Sequence, residues 1–196
     1  MTLNSLANKS ARYLVRKETI TEDKFEIYAF GMEMLFSTIL NGILVLIASL
    51  VLGVFFETVL MLIPFMIIRS KAGGFHAKTH WGCMFGFLAV YISSVLAVQN
   101  FAFLRDSVIL FILISVSAAA ILIIGAVKHK NREVEADELA KFRRLARRYA
   151  ALLAVVGWAG AYFFPQFFAY YTQGFFIAAF SLTAARAASK MGELRP

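Results

Sequence analysis

Long apolar runs fill most of this chain, and short polar clusters interrupt them at near-regular intervals. A helix crossing a hydrocarbon core of about 30 Å needs roughly 20 mostly apolar residues. With that ruler the pattern predicts six spans, at 28–52, 55–68, 82–99, 108–127, 149–164 and 167–188. The run 28–68 is too long for one helix and breaks near Gly53 to Glu57, which leaves a second span that barely reaches across. Residues 100–106 form the next turn, and Pro165 marks the last one. Ahead of the spans, residues 2–17 put Leu3, Leu6, Ala7, Tyr13 and Leu14 roughly on one helical face, with Lys9, Arg12 and Arg16 on another. That is the pattern of a helix lying in the membrane interface beside anionic lipid; a partly ordered arm is the alternative. No repeat or Pro/Gly/Ser linker divides the sequence. The expected fold is an all-α integral membrane protein, with residues 1–196 as a single membrane domain. It is a six-transmembrane-helix bundle with an N-terminal amphipathic interfacial helix at 1–20.

Composition agrees with the pattern. Sixty per cent of residues are hydrophobic and 16% charged, whereas soluble domains average about half and about a quarter. The net charge of +8 matters through where the cations lie, since orientation follows Lys and Arg placement. If loops alternate sides, one side receives Lys9, Arg12, Arg16, Lys17 and Lys24, then Arg69, Lys71 and Lys78. It also receives eight cations between 128 and 148, then Arg186, Lys190 and Arg195. Only Arg105 falls opposite. The expected location is the plasma membrane, multi-pass, with both termini and the 69–83 loop cytoplasmic. Nucleic acid is not an expected partner. The first apolar run follows a charged segment too long and too acidic for a signal peptide's n-region, so the chain is expected to keep its N-terminus.

Chemistry concentrates in Arg69-Ser-Lys-Ala-Gly-Gly-Phe-His-Ala-Lys-Thr-His-Trp-Gly-Cys83, which holds the only cysteine. Cys83 stands where the third span begins, at the positive end of a helix dipole and near Lys78; both favour the thiolate. His76 then suits a general base towards the thiol and a general acid towards a leaving amine. On a continuous helix an i, i+7 pair is two turns, roughly 10 Å, apart and cannot hydrogen-bond. One partner must leave the helix, and Gly73 and Gly74 supply the backbone freedom to fold His76 back. Backbone amides near Gly82 are candidate oxyanion donors.

Other readings use the same residues. His76, His80 and Cys83 on one helical face make a three-ligand zinc arrangement, although no second ligand-rich segment completes it. An inert packed cysteine with histidines at a wet boundary is the blandest option. Arg69 either snorkels or binds a carboxylate. Glu33 is the best acidic candidate to orient the histidine, and a dyad alone is simpler. No metal or cofactor is expected. Between the fourth and fifth spans, acidic residues precede Lys141, Arg143, Arg144, Arg147 and Arg148. They read either as a solvated helical entry to the fifth span or as a docking surface for an acidic partner. Ala150, Ala154, Gly157 and Ala161 form a small-residue stripe that admits close helix approach and suits a homodimer.

At Arg69, Gly74, His76 and Cys83, in the arrangement R-x4-G-x-H-x6-C, the chain resembles the accessory gene regulator protein B (AgrB) family. These are membrane-embedded cysteine endopeptidases of Gram-positive quorum-sensing systems. Length, six-span layout and the basic stretch support the likeness, while Asn131-Arg132 is followed here by Glu133 where much of the family has proline. The resemblance implies cleavage of a small AgrD-like precursor peptide near its C-terminal end, with the N-terminal portion held as a thioester on Cys83. An internal cysteine or serine of the precursor then closes a thiolactone or lactone ring, the autoinducing peptide. It implies Cys83 as nucleophile, His76 as base and acid, and Arg69, Gly73 and Gly74 as site architecture. Lys71 and Lys78 join the basic stretch as docking groups for an acidic tail, and membrane lipids surround the spans. The alternative is a small membrane transporter or peptide exporter without proteolytic activity, though no nucleotide-binding motif is present.

Overall fold

The computed structural model describes residues 3–73, 80–127 and 136–193. Among them the fold is all-helical, with seven α-helices and no strand. These are α1 (Leu3–Arg16), α2 (Phe25–Val51), α3 (Phe55–Ala72), α4 (His80–Asn100), α5 (Ser107–Ile124), α6 (Ala136–Phe163) and α7 (Pro165–Glu193). Helices α2 to α7 lie on the six apolar segments expected from the sequence. By length and composition, Glu22–Val51 and Ser107–Ile124 are long and apolar enough to cross a membrane, and Met84–Asn100 is a shorter apolar helix. Helix α6 starts at Ala136, ahead of the apolar segment at 149, so the basic stretch is a helical entry continuous with the apolar stretch.

Local chemistry sets the boundaries. Gly53, at a φ of 68°, turns the chain between α2 and α3, a left-handed conformation open to glycine at little cost. Asp106 caps α5, its carboxylate accepting from the amides of Val108 at 2.9 Å and Ile109 at 3.3 Å. This places a charged residue of the short 100–106 connection in a structural role. Gly125, at a φ of 72°, ends α5 with its amide donating to the Ile121 carbonyl. Pro165 opens α7 at the position where a missing N–H costs nothing.

The helices alternate in direction. The Val127 amide donates to the Ala72 carbonyl at 3.1 Å, so α3 and α5 finish at the same end. At the other end the Ser107 hydroxyl donates to the Ala161 carbonyl at 3.0 Å, joining the start of α5 to the end of α6. Helix α7 occupies the centre, packed on α3, α4, α5 and α6. It runs parallel to α3, meeting it at Gly174 against Met61 and again at Ser181 against Arg69. The Gly174 contact is backbone to backbone: a Cβ there would collide with the Met61 carbonyl.

The small-residue stripe of α6 is used inside the chain. Ala150, Ala154 and Ala161 are buried, and Gly157 lies under Tyr171 and Ile114. It therefore presents no surface to a second copy. Helix α1 reverses at Glu18 (φ 54°) and runs back along α2. The Arg12 guanidinium lies 4.9 Å over the Phe25 ring, and the Asn4 amide donates to Glu33 Oε2 at 3.3 Å. Ala7 and Ala11 are buried, while Leu6 and Tyr13 are exposed.

Candidate active site

The site is built from the last turn of α3 and the first turn of α4. Arg69 and Lys71 belong to that last turn, and the helix stops at Gly73, whose φ of 76° and ψ of −157° suit glycine alone. The Gly73 amide still donates to the Arg69 carbonyl at 3.1 Å, and a Cβ on it would stand 3.5 Å from the Val127 carbonyl oxygen. Helix α4 begins at His80, with Cys83 in its first turn. Gly74, His76 and Lys78 lie outside the described residues, as do the side chains of His80 and Cys83.

Arg69 does more than reach for water. Its Nη1 donates to the Ser181 hydroxyl at 2.9 Å, and its guanidinium lies 5.7 Å over the Phe65 ring. Phe65 in turn stacks on Phe87 of α4, with centroids 4.8 Å apart. Phe87 is one helical turn beyond Cys83. A continuous set of contacts, Ser181 to Arg69 to Phe65 to Phe87, thus holds the motif arginine against the same stretch of α4 that carries the cysteine. Trp81 and Phe85 stack at 6.0 Å on the exposed side of that turn, an arrangement common where helices meet a headgroup region.

The basic stretch of α6 divides in two. The Arg143 Nε donates to the Ala126 carbonyl at 3.4 Å, and its stem packs on Gly125. The Arg147 Nε donates to the Leu122 carbonyl at 2.9 Å. Both arginines satisfy carbonyls left open at the C-terminal end of α5 and sit at the negative end of its dipole. Lys141, Arg144 and Arg148 are exposed, and Arg147 is exposed as well. Glu33 is engaged by Asn4 of α1.

Sequence reasoning missed the polar tie between α3 and α4. Thr58 and Tyr91 are fully buried, and their hydroxyl oxygens are 2.7 Å apart. Thr58 also donates to the Val54 carbonyl at 2.7 Å, which uses its single proton and makes Tyr91 the donor of the shared bond. A tyrosine and a threonine inside otherwise apolar spans were the available signal.

An all-helical fold with strongly apolar helices, carrying its cations Arg69, Lys71, Arg143 and Arg147 where α3 and α5 end, defines a helical membrane-associated protein. The sequence matches the family model for accessory gene regulator B over residues 7–184. It is also 30% identical over 71 residues to Protein FsrB of Enterococcus faecalis, a match covering 36% of this chain and 29% of that relative's length. No solved structure matches. The chain belongs to the accessory gene regulator B family.

Proposed function

We propose that this protein is a membrane-embedded cysteine endopeptidase that cleaves an AgrD-like propeptide and passes its N-terminal part on as an acyl group. The observation that carries the reading is the contact path from Arg69 through Phe65 to Phe87, which ties the motif arginine to α4 one turn beyond Cys83. Gly73 supports it by ending α3 in a non-helical conformation. In this reading His76 folds back over the start of α4 and takes the Cys83 proton. The thiolate attacks the scissile carbonyl, His76 returns the proton to the departing amine as the C–N bond breaks, and a thioester remains on Cys83. An internal thiol or hydroxyl of the peptide, giving its proton to His76, then attacks that thioester, closing the ring and releasing the Cys83 thiolate. Arg69, Gly73 and Gly74 shape the site, and Lys71 and Lys78 attract the acidic tail.

The same reading takes α2 to α7 as six spans of one membrane domain, with both termini and the 69–83 loop in the cytoplasm. Alternating helix directions and the cations gathered where α3 and α5 end support it. Helix α1 lies at the inner interface with Leu6 and Tyr13 towards lipid.

The test co-expresses the protein with a short amphipathic, acid-tailed AgrD-like propeptide. Cys83→Ala and His76→Ala are each expected to abolish cleavage at normal membrane abundance, and the active protein to yield a hydroxylamine-labile adduct with the N-terminal half of the peptide. Cleavage by the Cys83→Ala variant sinks the mechanism. A transporter without proteolytic activity would instead need an ion gradient or nucleotide and leave the propeptide intact.

A further inference from the structure

Helices α4 and α5 are consecutive in the chain yet stand apart, leaving a cleft of about 490 Å³ floored by α7. Val90, Ser93 and Ser94 of α4, Leu113 of α5, and Gln173 and Phe176 of α7 line it, and Leu104 of the intervening connection lies at one end. Several helical hydroxyls bond back to their own helix: Ser115 to Phe111, Ser117 to Leu113 and Thr172 to Phe168, each at 2.7 Å. Ser93, Ser94 and Gln173 have no hydrogen-bond partner among the described residues. In hydrocarbon such groups are costly unless something pairs with them, and they commonly mark a substrate path.

The chemistry of the cleft narrows the occupant. An acyl chain would fill the apolar walls but leave two hydroxyls and an amide unpaired. An α-helical segment has satisfied its own backbone, and the volume, within the usual range of about 300–1,000 Å³ for small-ligand sites, is better matched to a few residues than to a helix. Non-helical peptide supplies both apolar side chains and free backbone N–H and C=O groups. Position fits as well. Residues 83 and 90 share a register of α4 two turns apart, roughly 10 Å, which about three extended residues bridge. Because the C-terminal part leaves at cleavage, only the acyl part needs holding until the ring closes.

We propose that the cleft between α4 and α5 binds a short, non-helical apolar stretch of the propeptide on the acyl side of the scissile bond, with Ser93, Ser94 and Gln173 pairing with its backbone. The inference rests on the peptidase reading above. It is tested with the full-length protein in lipid nanodiscs and the same propeptide. p-Benzoylphenylalanine in place of Val90, in a Cys83→Ala background, should on irradiation give a covalent adduct with the propeptide. Adducts with lipid alone, or none, overturn the proposal. In the active protein, Ser93→Ala, Ser94→Ala and Gln173→Leu combined should raise KM about tenfold and leave kcat within about twofold, as loss of hydrogen bonds to bound peptide predicts. An unchanged KM, or a fall in kcat alone, overturns it too. The cross-link is read without turnover, so it reports on the cleft even if Cys83 proves not to be the nucleophile, and cleavage by Cys83→Ala reports on the nucleophile alone.

Discussion

Helix α3 meets two neighbours in opposite ways. Against α7 the contact is backbone on backbone, with Gly174 set on the Met61 carbonyl, and no side-chain rotation can open it. Against α4 it is made by side chains: the Phe65 ring on Phe87, and the Tyr91 hydroxyl on Thr58. A seam of the first kind has one geometry, since interiors pack densely and tolerate added atoms poorly. A seam of the second kind can slide by small rotamer changes while keeping its contacts. The motif residues lie along the adjustable seam, with Arg69 fixed by the rigid side through Ser181 and Cys83 carried by α4. The difference separates a platform of α3, α5, α6 and α7 from a helix α4 held by side chains, and in the proposed reading it is α4 that settles around the propeptide.

The strongest way to break this contrast is at its rigid side. Gly174→Leu should lower unfolding stability by more than about 3 kcal/mol, because the clash is with backbone and cannot be relieved by a rotamer. Loss of the monodisperse, cooperatively unfolding species in detergent would register it, and a shift of less than about 1 kcal/mol would show that the seam yields. A middle-sized effect is expected at Gly73. Its backbone angles are closed to other residues, so Gly73→Ala should cost about 2 kcal/mol locally. That should appear as slower propeptide cleavage with little change in global unfolding; unchanged cleavage would remove Gly73 from the site. The smallest effect belongs to the adjustable seam. Tyr91→Phe leaves Thr58 still paired with Val54, and the lost bond should cost only about 0.6 kcal/mol in equilibrium unfolding. A cost several times larger would mean that α4 is as tightly held as α7.

Much of this arrangement was written in the hydropathy pattern. The segments 28–52, 55–68, 82–99 and 108–127 appear as helices within a few residues of those limits, because long apolar runs and the turns at Gly53 and Asp106 are local properties. Helix α6 carries the solvated helical entry that was one reading of the basic stretch, since hydropathy falls where Lys141 to Arg148 begin although helix propensity does not. The destination of a face is not a local property. The stripe through Gly157 looked ready for any helix, and only the packed bundle assigns it to Tyr171 and Ile114. Likewise the amphipathic pattern of residues 3–16 gave a helix but not its return along α2. The motif spacing pointed to Cys83 and His76, whereas the anchoring of Arg69 by Ser181, more than a hundred residues later, leaves no trace in spacing at all.

The arginines that close the end of α5 change how the charge of this protein should be counted. Arg143 is half-buried, with its Nε on the Ala126 carbonyl and its stem on Gly125, so part of its field is answered within a few ångströms by a carbonyl dipole. Lys141, Arg144, Arg147 and Arg148 are exposed and are the ones that mobile ions can reach, Arg147 while its Nε holds the Leu122 carbonyl. One basic stretch therefore contains a sheltered arginine that helps keep two helices together and an exposed, salt-sensitive population that meets the surroundings. Raising ionic strength should mute the second without loosening the first, separating attraction from architecture in a single titration.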